Sequence, residues 1–254
     1  MLEEWKGKRV LITGASRGIG AAVSKQLGAL GAHVAVHYHS SESSAEAVAS
    51  TIRDSGGDAF TLRADVSQSS EVRRLIDDAA ERLQGLDLLI NNAGDMLGRV
   101  SLDNMDDDQY SRVLDLNVRS VMMASCAALP HFRRSGQGNI INTTSIAARN
   151  GGGAGAGLYA SAKGFVSTLT RNMAKELAGE RIRVNAVAPG VIATDFHERH
   201  SSEAFLTAAC ASIPMGRLGT AEECVGAYVF LGTEALSGYV TGQIVEVNGG
   251  QLMP

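Results

Sequence analysis

The feature that most constrains the fold of this chain is a regular alternation between two apolar patterns. Segments such as IGAAVSKQLGALG and SEVRRLIDDAAERLQG repeat apolar residues at i, i+3, i+4 and i+7, the period of a helix packed on one face. Between such segments lie short, nearly continuous apolar runs, typical of strands covered on both faces. These runs are RVLIT (9–13), HVAVHY (33–38), AFTLRA (59–64), LDLLIN (86–91), NIINTT (139–144), IRVNAVA (182–188) and QIVEV (243–247). The alternation predicts an α/β fold with a parallel sheet and helices on both faces.

Composition narrows the class of protein. The 254 residues suffice for one large α/β domain or two small ones, and 44% of them are hydrophobic, enough for a sizeable core. The net charge is −4, and Lys and Arg are scattered, so no basic face indicates nucleic acid binding. No apolar run reaches the ~18 residues of a membrane span, and MLEEWKGKR lacks the apolar region of a signal peptide. We therefore expect a cytoplasmic protein that binds neither nucleic acid nor membrane.

The metal-ligating residue types form no recognisable site. The three cysteines are odd in number and fit no CxxC spacing, so we expect reduced thiols rather than disulfides. Two histidine pairs, at positions 37 and 39 and at 197 and 200, lie far apart in the chain. An HxxH pair alone indicates little, and we expect no bound metal.

The first strand runs into a glycine turn. RVLITGASRGIG has glycines at 14, 18 and 20, directly after the strand and at the start of a helix. Without Cβ atoms, such a turn lets backbone N–H groups approach a pyrophosphate, and the helix N-terminus adds partial positive charge. The spacing G-x-x-x-G-x-G differs from the usual G-x-G-x-x-G, so a purely structural turn is an alternative. Its position after the first strand favours nucleotide binding.

A second glycine-rich stretch, GGGAGAG at 151–157, permits three interpretations: a domain linker, a phosphate loop, or a loop kept free of side chains. It lies between the strand at 139–144 and a strongly helical segment at 158–179, where a linker would split the sheet. A pyrophosphate already has the turn at 14–20. We therefore expect these glycines to make room beside the substrate.

Several ordered motifs carry a family resemblance. TGASRGIG is followed by NNAG (91–94), by a Ser–Tyr–Lys set, by PGVIAT (189–194) and by YVTGQIVEVNGG near the end. Together they resemble the short-chain dehydrogenase/reductase family from about residue 7 to residue 250. The resemblance implies one Rossmann-type domain over 1–254, a three-layer sandwich around a seven-stranded parallel sheet. Members of this family usually assemble as homotetramers.

The end of the second strand bears on the cofactor. NAD-dependent relatives carry Asp where this chain has Tyr38, and His39, Ser40 and Ser41 can donate hydrogen bonds to a 2′-phosphate. Arg17 resembles the basic residue of NADP-preferring members, and an arginine fork suits phosphate oxygens. We predict NADP(H) in preference to NAD(H), the alternative being a solvated arginine and a polar loop. The resemblance implies these cofactor-binding residues: Gly14, Ser16, Arg17, Gly18, Ile19, Gly20, Tyr38, His39, Ser40, Ser41, Asp65, Val66, Asn91, Ala93, Gly94, Tyr159, Lys163, Pro189, Gly190, Ile192 and Thr194.

The candidate catalytic residues follow the fifth strand. Tyr159 and Lys163 are four apart in a helical segment and share one face. A free tyrosine has a pKa near ~10, and a nearby ammonium, together with the positive nicotinamide of the oxidised cofactor, is expected to lower that pKa toward the working range. Ser145 ends the strand IINTTS at the ligand edge of the sheet, where its hydroxyl could hold a carbonyl oxygen. Thr143 and Thr144 are alternatives for that role, but Ser145 matches the family motif.

Asn117, in LDLNVRS, resembles the residue that holds a water linking Lys163 to solvent, with local backbone bonding as the alternative. The set implies a carbonyl reductase in which hydride from the cofactor reaches the carbonyl carbon and Tyr159 supplies a proton. A sugar or polyol dehydrogenase working in the oxidative direction is the main rival. A non-catalytic NADP-binding regulator is a second, disfavoured because all four catalytic residues are present.

The substrate class depends on the segment 195–219, which we expect to be a mobile lid. The chain as a whole most resembles 3-oxoacyl-carrier-protein reductases and related carbonyl reductases. Carrier-protein docking tends to use basic residues near the active-site rim, and Arg133, Arg134 and Arg181 are candidates. Glu180 occupies a position that is often basic in those enzymes, which weakens the acyl-carrier assignment.

Overall fold

The computed structural model describes residues 2–253, and it confirms the predicted fold class. Seven strands form one sheet in the order β3-β2-β1-β4-β5-β6-β7, with every neighbouring pair parallel. Each predicted apolar run contains one strand to within two residues at either end. The strands are β1 (Arg9–Ile12), β2 (His33–Tyr38), β3 (Asp58–Arg63), β4 (Leu88–Asn91), β5 (Gly138–Thr143), β6 (Ile182–Pro189) and β7 (Ile244–Val247).

The strand order places a crevice at the centre of the sheet. From β1 the chain builds outward through β2 to β3, then returns to place β4 on the other side of β1. Val10 pairs with Val34 of β2 on one side and with Leu88 of β4 on the other. The order in which strands are added to the sheet therefore reverses between β1 and β4. The carboxyl ends of these two strands border a gap, which is the usual ligand site of such sheets.

Eleven α-helices lie within the described residues. They are α1 (Gly18–Ala29), α2 (Glu42–Asp54), α3 (Ser69–Arg82), α4 (Asp107–Leu114), α5 (Ser120–Ser135), α6 (Ala147–Asn150), α7 (Gly157–Leu177), α8 (Asp195–His200), α9 (Glu203–Ser212), α10 (Ala221–Gly232) and α11 (Glu234–Ser237). A π-helical turn, Asp115–Arg119, joins α4 to α5. Among residues 2–253, no helix combines the length and apolar character needed to cross a bilayer.

Two apolar cores cover the two faces of the sheet. Within β1, Val10 and Ile12 belong to the core under α1, α2 and α10, while Leu11 belongs to the core under α3, α5 and α7. All three are fully buried. This alternation is what a strand requires when helices cover both faces, and it produces the three predicted layers.

A smaller cluster lies beyond the carboxyl ends of the strands. Val191, Ala209 and Ile213 form its buried centre, and they connect the segment after β6 to helix α9. Helices α8 and α9 occupy the predicted lid at 195–219. Of the domain predicted over 1–254, Met1 and Pro254 lie outside the described residues.

Candidate active site

A cleft of about 730 Å³ opens at the carboxyl edge of the sheet. Its walls come from the segments that follow β1, β2, β3, β4, β5 and β6 and from helices α8 and α9. Most of the residues predicted from the sequence line it: Gly14, Ser16, Arg17, Gly18, Ile19, Tyr38, His39, Ser40, Ser41, Asp65, Val66, Ala93, Gly94, Ser145, Tyr159, Lys163, Pro189, Gly190, Ile192 and Thr194. The fold therefore brings together residues that are up to 180 positions apart in the chain.

The glycine turn is held by close backbone packing. Gly14 has a φ of +64°, and a Cβ there would lie 2.9 Å from the Cα of Ala93. The Asn92 side chain donates to the carbonyls of Thr13 and Gly14, at 3.0 and 2.9 Å. Asn92 was not predicted, although it lies inside the NNAG motif. Its bonds join the segment after β4 to the turn after β1, which fixes the width of the crevice.

His37, at the end of β2, supports the same turn and was not predicted as a site residue. It is 1% exposed, and its Nδ1 accepts the N–H of Gly14 at 2.9 Å. Its Nε2 lies 3.1 Å from the carbonyl oxygen of Ala64, which places the proton on Nε2. Burial lowers the pKa of His37 to about 4, so the ring is neutral at pH 7.

The predicted 2′-phosphate contacts lie together at one end of the cleft. Arg17 Nη2 is 3.5 Å from Ser41 Oγ, and Nη1 is 3.5 Å from a carboxylate oxygen of Asp195 in the lid. Both members of that ion pair are about half exposed, so water screens it. No carboxylate from the end of β2 lines this part of the cleft within the described residues.

The candidate catalytic side chains meet where β5 and α7 approach the cleft. Lys163 is 2% exposed and donates from Nζ to the carbonyl oxygen of Thr143 at 2.9 Å. The same Nζ lies 5.7 Å from the centroid of the Tyr159 ring. Ser145 follows β5, and its Oγ accepts the N–H of Ala147 at 3.1 Å. This bond orients the serine hydroxyl at the edge of the cleft.

Burial shifts the pKa values of Tyr159 and Lys163 in opposite directions. It raises the pKa of Tyr159 to about 12, against a lowering effect of the Ser145 hydroxyl. It lowers the pKa of Lys163 to about 8. The tyrosine shift is opposite to the one expected from the sequence, because removal from water outweighs any effect of the lysine. At pH 7 the phenol keeps its proton, and the lysine is mostly charged.

Thr143 and Thr144, the two alternatives to Ser145 for holding a carbonyl oxygen, use their hydroxyls in hydrogen bonds inside the protein. Thr143 Oγ1 is hydrogen-bonded to the hydroxyl of Tyr228 at 2.7 Å. Thr144 Oγ1 donates to the carbonyl of Lys163 at 2.9 Å and contacts Ser167 Oγ at 2.8 Å. Both threonines are buried. Their hydroxyls are therefore engaged inside the protein.

Three predicted site residues do not line the cleft. A Cβ on Gly20 would lie 2.4 Å from the carbonyl oxygen of Gly14, so this glycine is needed for packing under the turn. The Asn91 side chain is 3% exposed and donates to Ser125 and Asn142 inside the protein. Gly20 and the Asn91 side chain therefore lie behind the wall of the cleft and support it, and their contact with a cofactor stays a prediction.

Asn117 is the third predicted site residue that does not line the cleft. It lies fully buried in the π-helical turn. Its Nδ2 donates to the carbonyls of Asp95 and Val113, at 2.7 and 2.9 Å, while its Oδ1 has no partner. A Cβ on Gly94 would lie 2.8 Å from that oxygen and 2.9 Å from Lys163 Nζ. The unpaired acceptor and the lysine therefore flank the same small space, which fits the predicted link between Asn117 and Lys163.

The lid is joined to the NNAG segment by an ion-pair cluster that no sequence motif indicated. Asp95 accepts from Arg199 Nη1 and lies against His200 Nε2, each at 2.5 Å. Burial acts to raise the pKa of Asp95, but the Leu97 N–H, Arg199 and His200 outweigh it and hold that pKa below its usual value. The cluster attaches helix α8 directly beside the candidate catalytic residues.

The glycine-rich loop makes room for protein side chains as well as for the cleft. A Cβ on Gly153 would lie 3.3 Å from the Phe205 ring and 3.4 Å from Arg99 Nη1, and one on Gly155 would lie 2.9 Å from Arg99 Cβ. Gly155 also has a φ of +72°. The expectation that the glycines make room is thus extended: part of that room is taken by Arg99 and by the lid residue Phe205.

Within residues 2–253, no cluster of three or more His, Cys, Asp or Glu side chains could hold a metal ion. His197 contacts Ser201 Oγ at 2.9 Å, and burial, followed by the charge of Arg99, lowers its pKa to about 4. The cysteines, Cys126, Cys210 and Cys224, are unpaired. No donor set in the described chain therefore supports metal chemistry at the cleft.

The basic residues considered for carrier-protein docking lie away from the cleft of their own chain. Arg133 and Arg134 end α5, beside the start of β5, whereas the cleft lies at the other end of that strand. Arg133 donates to both carboxylate oxygens of Glu180, at 2.6 and 2.9 Å. Arg181 begins the return to β6 at the same edge. The charge of Arg133 is thus balanced, and none of the three lines the cleft.

Comparisons with known proteins find relatives over nearly the whole chain. A family model described as Enoyl-(Acyl carrier protein) reductase matches residues 14–251. A 3-oxoacyl-(acyl-carrier-protein) reductase from Synechocystis sp. is 39% identical over 243 residues, which span 96% of each chain. Among solved structures, an NADH-dependent reductase A1-R′ responsible for alginate metabolism is 44% identical, with a TM-score of 0.91 and coverage of 99% and 100%. A short-chain dehydrogenase from Burkholderia cenocepacia, solved with NADP, is 36% identical, with a TM-score of 0.89 and coverage of 97% and 98%.

Proposed function

Because the chain belongs to the short-chain dehydrogenase/reductase family, a family of oxidoreductases, we propose that it uses NADPH to reduce a carbonyl group to a secondary alcohol. The observation that carries this proposal is the meeting of Tyr159, Lys163 and Ser145 beside one cleft. A phenol with a pKa of about 12 holds its proton at neutral pH, which suits a group that donates a proton during reduction.

Each of the three residues has a separate task in this proposal. Tyr159 donates its proton to the carbonyl oxygen as negative charge develops there. Ser145 donates a hydrogen bond to the same oxygen and stabilises that charge. The Lys163 ammonium stabilises the phenolate that remains, and the pair Asn117–Lys163 offers a route for the returning proton through the space beside Gly94.

The residues of the cleft fit a dinucleotide. At Gly14, Ala93 leaves no space for a side chain, and the backbone of the turn is exposed to the cleft at the start of α1. We assign the pyrophosphate to this turn, the adenine to Asp65 and Val66, and the nicotinamide end to Pro189, Gly190, Ile192 and Thr194. The reduced nicotinamide would supply the hydride.

The preference for NADPH rests on the opposite end of the cofactor site. Arg17 and Ser41 lie together, and Tyr38 occupies the end of β2 without a carboxylate. The weak, exposed pair between Arg17 and Asp195 leaves the guanidinium able to turn toward a phosphate. The relative solved with NADP supports the proposal by likeness.

A second candidate is an NADH-dependent enzyme acting on a carbohydrate derivative, including a sugar or polyol dehydrogenase working in the oxidative direction. One observation favours it: the reductase responsible for alginate metabolism is described as NADH-dependent and is 44% identical, against 39% for the acyl-carrier relative. The position of Arg133 and its pairing with Glu180 also weaken docking of an acyl carrier protein. We therefore rank a free small molecule above a carrier-bound substrate.

For the whole chain we propose one domain over 1–254 with a lid at 195–219, a cytoplasmic location and a homotetrameric assembly. The lid proposal is supported by the contacts of α8 and α9 with the cleft. The homotetramer is proposed by analogy with the family, and size-exclusion chromatography with light scattering tests it. A monomer or dimer at micromolar concentration would contradict it.

The proposed chemistry is tested by Tyr159→Phe. With a neutral diketone such as 2,3-butanedione and NADPH, this variant should lose at least 99% of kcat, because the proton donor is gone. NADPH binding, measured by fluorescence titration, should stay within about threefold of wild type, since the ring remains. A variant that keeps more than a few per cent of the activity would show that Tyr159 is not the proton donor.

A further inference from the structure

Arg99 is a cation in the cleft with no acidic partner. It lies in the segment between β4 and α4, and no ion pair within residues 2–253 involves it. The two other arginines of the cleft each have an acidic partner, Arg17 at Asp195 and Arg199 at Asp95.

The Arg99 side chain is nevertheless firmly held. Its Nε donates to the carbonyl of His200 at 2.7 Å, and its Nη1 donates to the carbonyl of Ala154 at 2.9 Å. Its Cζ lies 4.9 Å from the centroid of the Phe205 ring. Nη2 makes no hydrogen bond within the described chain, so the fixed guanidinium keeps donors free.

The surrounding loop is shaped for this side chain. A Cβ on Gly155 would lie 2.9 Å from Arg99 Cβ, and one on Gly153 would lie 3.4 Å from Arg99 Nη1. Two backbone carbonyls, one from the lid and one from the glycine-rich loop, therefore orient a charge that is not neutralised. Such an arrangement serves an anionic ligand better than it serves stability, because a partly buried charge without a counter-ion costs free energy.

Arg99 is separated from Tyr159 by a row of rings in the lid. Tyr159 contacts Phe196 at 5.6 Å between centroids, Phe196 contacts His197 at 5.2 Å, and His197 contacts Phe205 at 6.4 Å. Arg99 packs on the far member of this row, Phe205. Side chains of helices α8 and α9 thus lie between Arg99 and Tyr159, so a group bound at Arg99 does not share the position of the oxygen held at Tyr159.

We propose, building on the carbonyl reduction proposed above, that Arg99 binds a carboxylate of the substrate. The substrate is then a small keto or aldehydo acid whose carboxylate is several bonds away from the reacting carbonyl. The carboxylate accepts hydrogen bonds from the free side of the guanidinium while Tyr159 and Ser145 hold the carbonyl oxygen. Charge pairing at Arg99 thus selects acids over neutral carbonyl compounds.

The test compares acids with their methyl esters. The probes are pyruvate, 4-oxopentanoate and 5-oxohexanoate, each beside its methyl ester, with 2,3-butanedione as the neutral reference and NADPH as the reductant. We expect wild-type kcat/KM to favour the two longer acids over their esters by about tenfold to a hundredfold. In Arg99→Gln, kcat/KM for each acid should become nearly equal to kcat/KM for its ester. Arg99→Lys keeps the positive charge and should keep most of the preference for the acid.

The ratio of kcat/KM for acid to that for ester distinguishes charge recognition by Arg99 from a purely structural role of this residue. Loss of the bonds from Arg99 to the lid would lower acid and ester turnover together, in Arg99→Lys as well as in Arg99→Gln. Equal wild-type kcat/KM for acid and ester, or a ratio unchanged in Arg99→Gln, would overturn the proposal. A wild-type ratio that is largest for pyruvate would overturn the remote placement of the carboxylate.

Two further readouts keep this inference distinct from the proposed function. Binding of 5-oxohexanoate to the NADPH-loaded protein, measured by calorimetry, should weaken about tenfold or more in Arg99→Gln even if no carbonyl is reduced. If acetoacetyl-coenzyme A turnover depends on Arg99 and binding of the small acids does not, the anion is the phosphate of a thioester carrier and the proposal is wrong.

Discussion

Tyr159 and Lys163 show how one environment sets two protonation states. Both lie where β5 and α7 exclude water, and burial disfavours the charged form of each. The phenol therefore stays protonated at neutral pH, while the ammonium becomes easier to deprotonate. For reduction this is a suitable pairing, because the donor keeps its proton until negative charge forms on the substrate oxygen.

The lysine shift predicts the pH dependence of reduction. Lys163 is charged below its pKa of about 8 and loses its charge as the pH rises through that value. We expect kcat/KM for NADPH-dependent reduction to be level below about pH 8 and to fall about tenfold for each further pH unit. Initial rates of NADPH consumption, measured at intervals from pH 6 to pH 10, give kcat/KM at each pH and test this prediction.

The matched variant for this prediction is Lys163→Arg. An arginine keeps its charge over the whole range, so the alkaline fall should disappear even if the overall rate drops. A wild-type profile that stays level to pH 10 would contradict the role given to the lysine charge.

At the scale of single elements, the site depends on glycines that serve different purposes. Gly14 allows the segments after β1 and β4 to approach each other, and Gly20 allows α1 to begin directly under the turn. In the loop before α7, Gly153 and Gly155 accommodate Arg99 and Phe205. Only the turn faces the proposed pyrophosphate, although it has three glycines in residues 14–20 and the loop has five in residues 151–157.

The turn can be tested with Gly20→Ala. Its Cβ would lie 2.4 Å from the Gly14 carbonyl oxygen and 2.5 Å from Asn92 Nδ2, so the turn must open. We expect a loss of about 1–3 kcal/mol in the free energy of unfolding and an increase in the Kd for NADPH. Urea unfolding and fluorescence titration measure the two effects.

Gly226→Ala is the control, because it makes the same change inside a helix where no atom lies within 4 Å of the added Cβ. It should stabilise the protein by about 0.5–1 kcal/mol and leave NADPH binding unchanged. If Gly20→Ala behaved like this control, the close packing described for the turn would be wrong.

The positions of the elements were largely predictable from the sequence, and the contacts between them were not. The apolar runs located the seven strands because burial on both faces leaves a clear pattern, and the helical period located the helix that carries Tyr159. The directions of the Asn91 side chain and of Arg99 depend on which segments meet in space. Neither the period of a strand nor a local motif contains that information.

At the scale of the whole molecule, the sheet gathers the site from distant segments. The reversal of strand order between β1 and β4 opens the crevice, and Asp95 and Arg99 join its rim to Arg199 and His200 of the segment that we propose as a lid. Two arginines line this cleft with different neighbours. Arg17 lies beside Ser41, where we propose the 2′-phosphate, and Arg99 packs on Phe205, where we propose a substrate carboxylate. These two positive charges predict a phosphorylated cofactor and an anionic substrate.

The measurement that tests the central claim most directly is kcat/KM for NADPH and for NADH with 2,3-butanedione, in wild type and in Arg17→Gln. The account predicts a wild-type ratio of NADPH to NADH above one. It also predicts a fall of that ratio by about tenfold or more in Arg17→Gln, with the NADH value unchanged, because of the two cofactors only NADPH offers the guanidinium a 2′-phosphate. A wild-type ratio below one would contradict the NADPH preference and favour the NADH-dependent alternative.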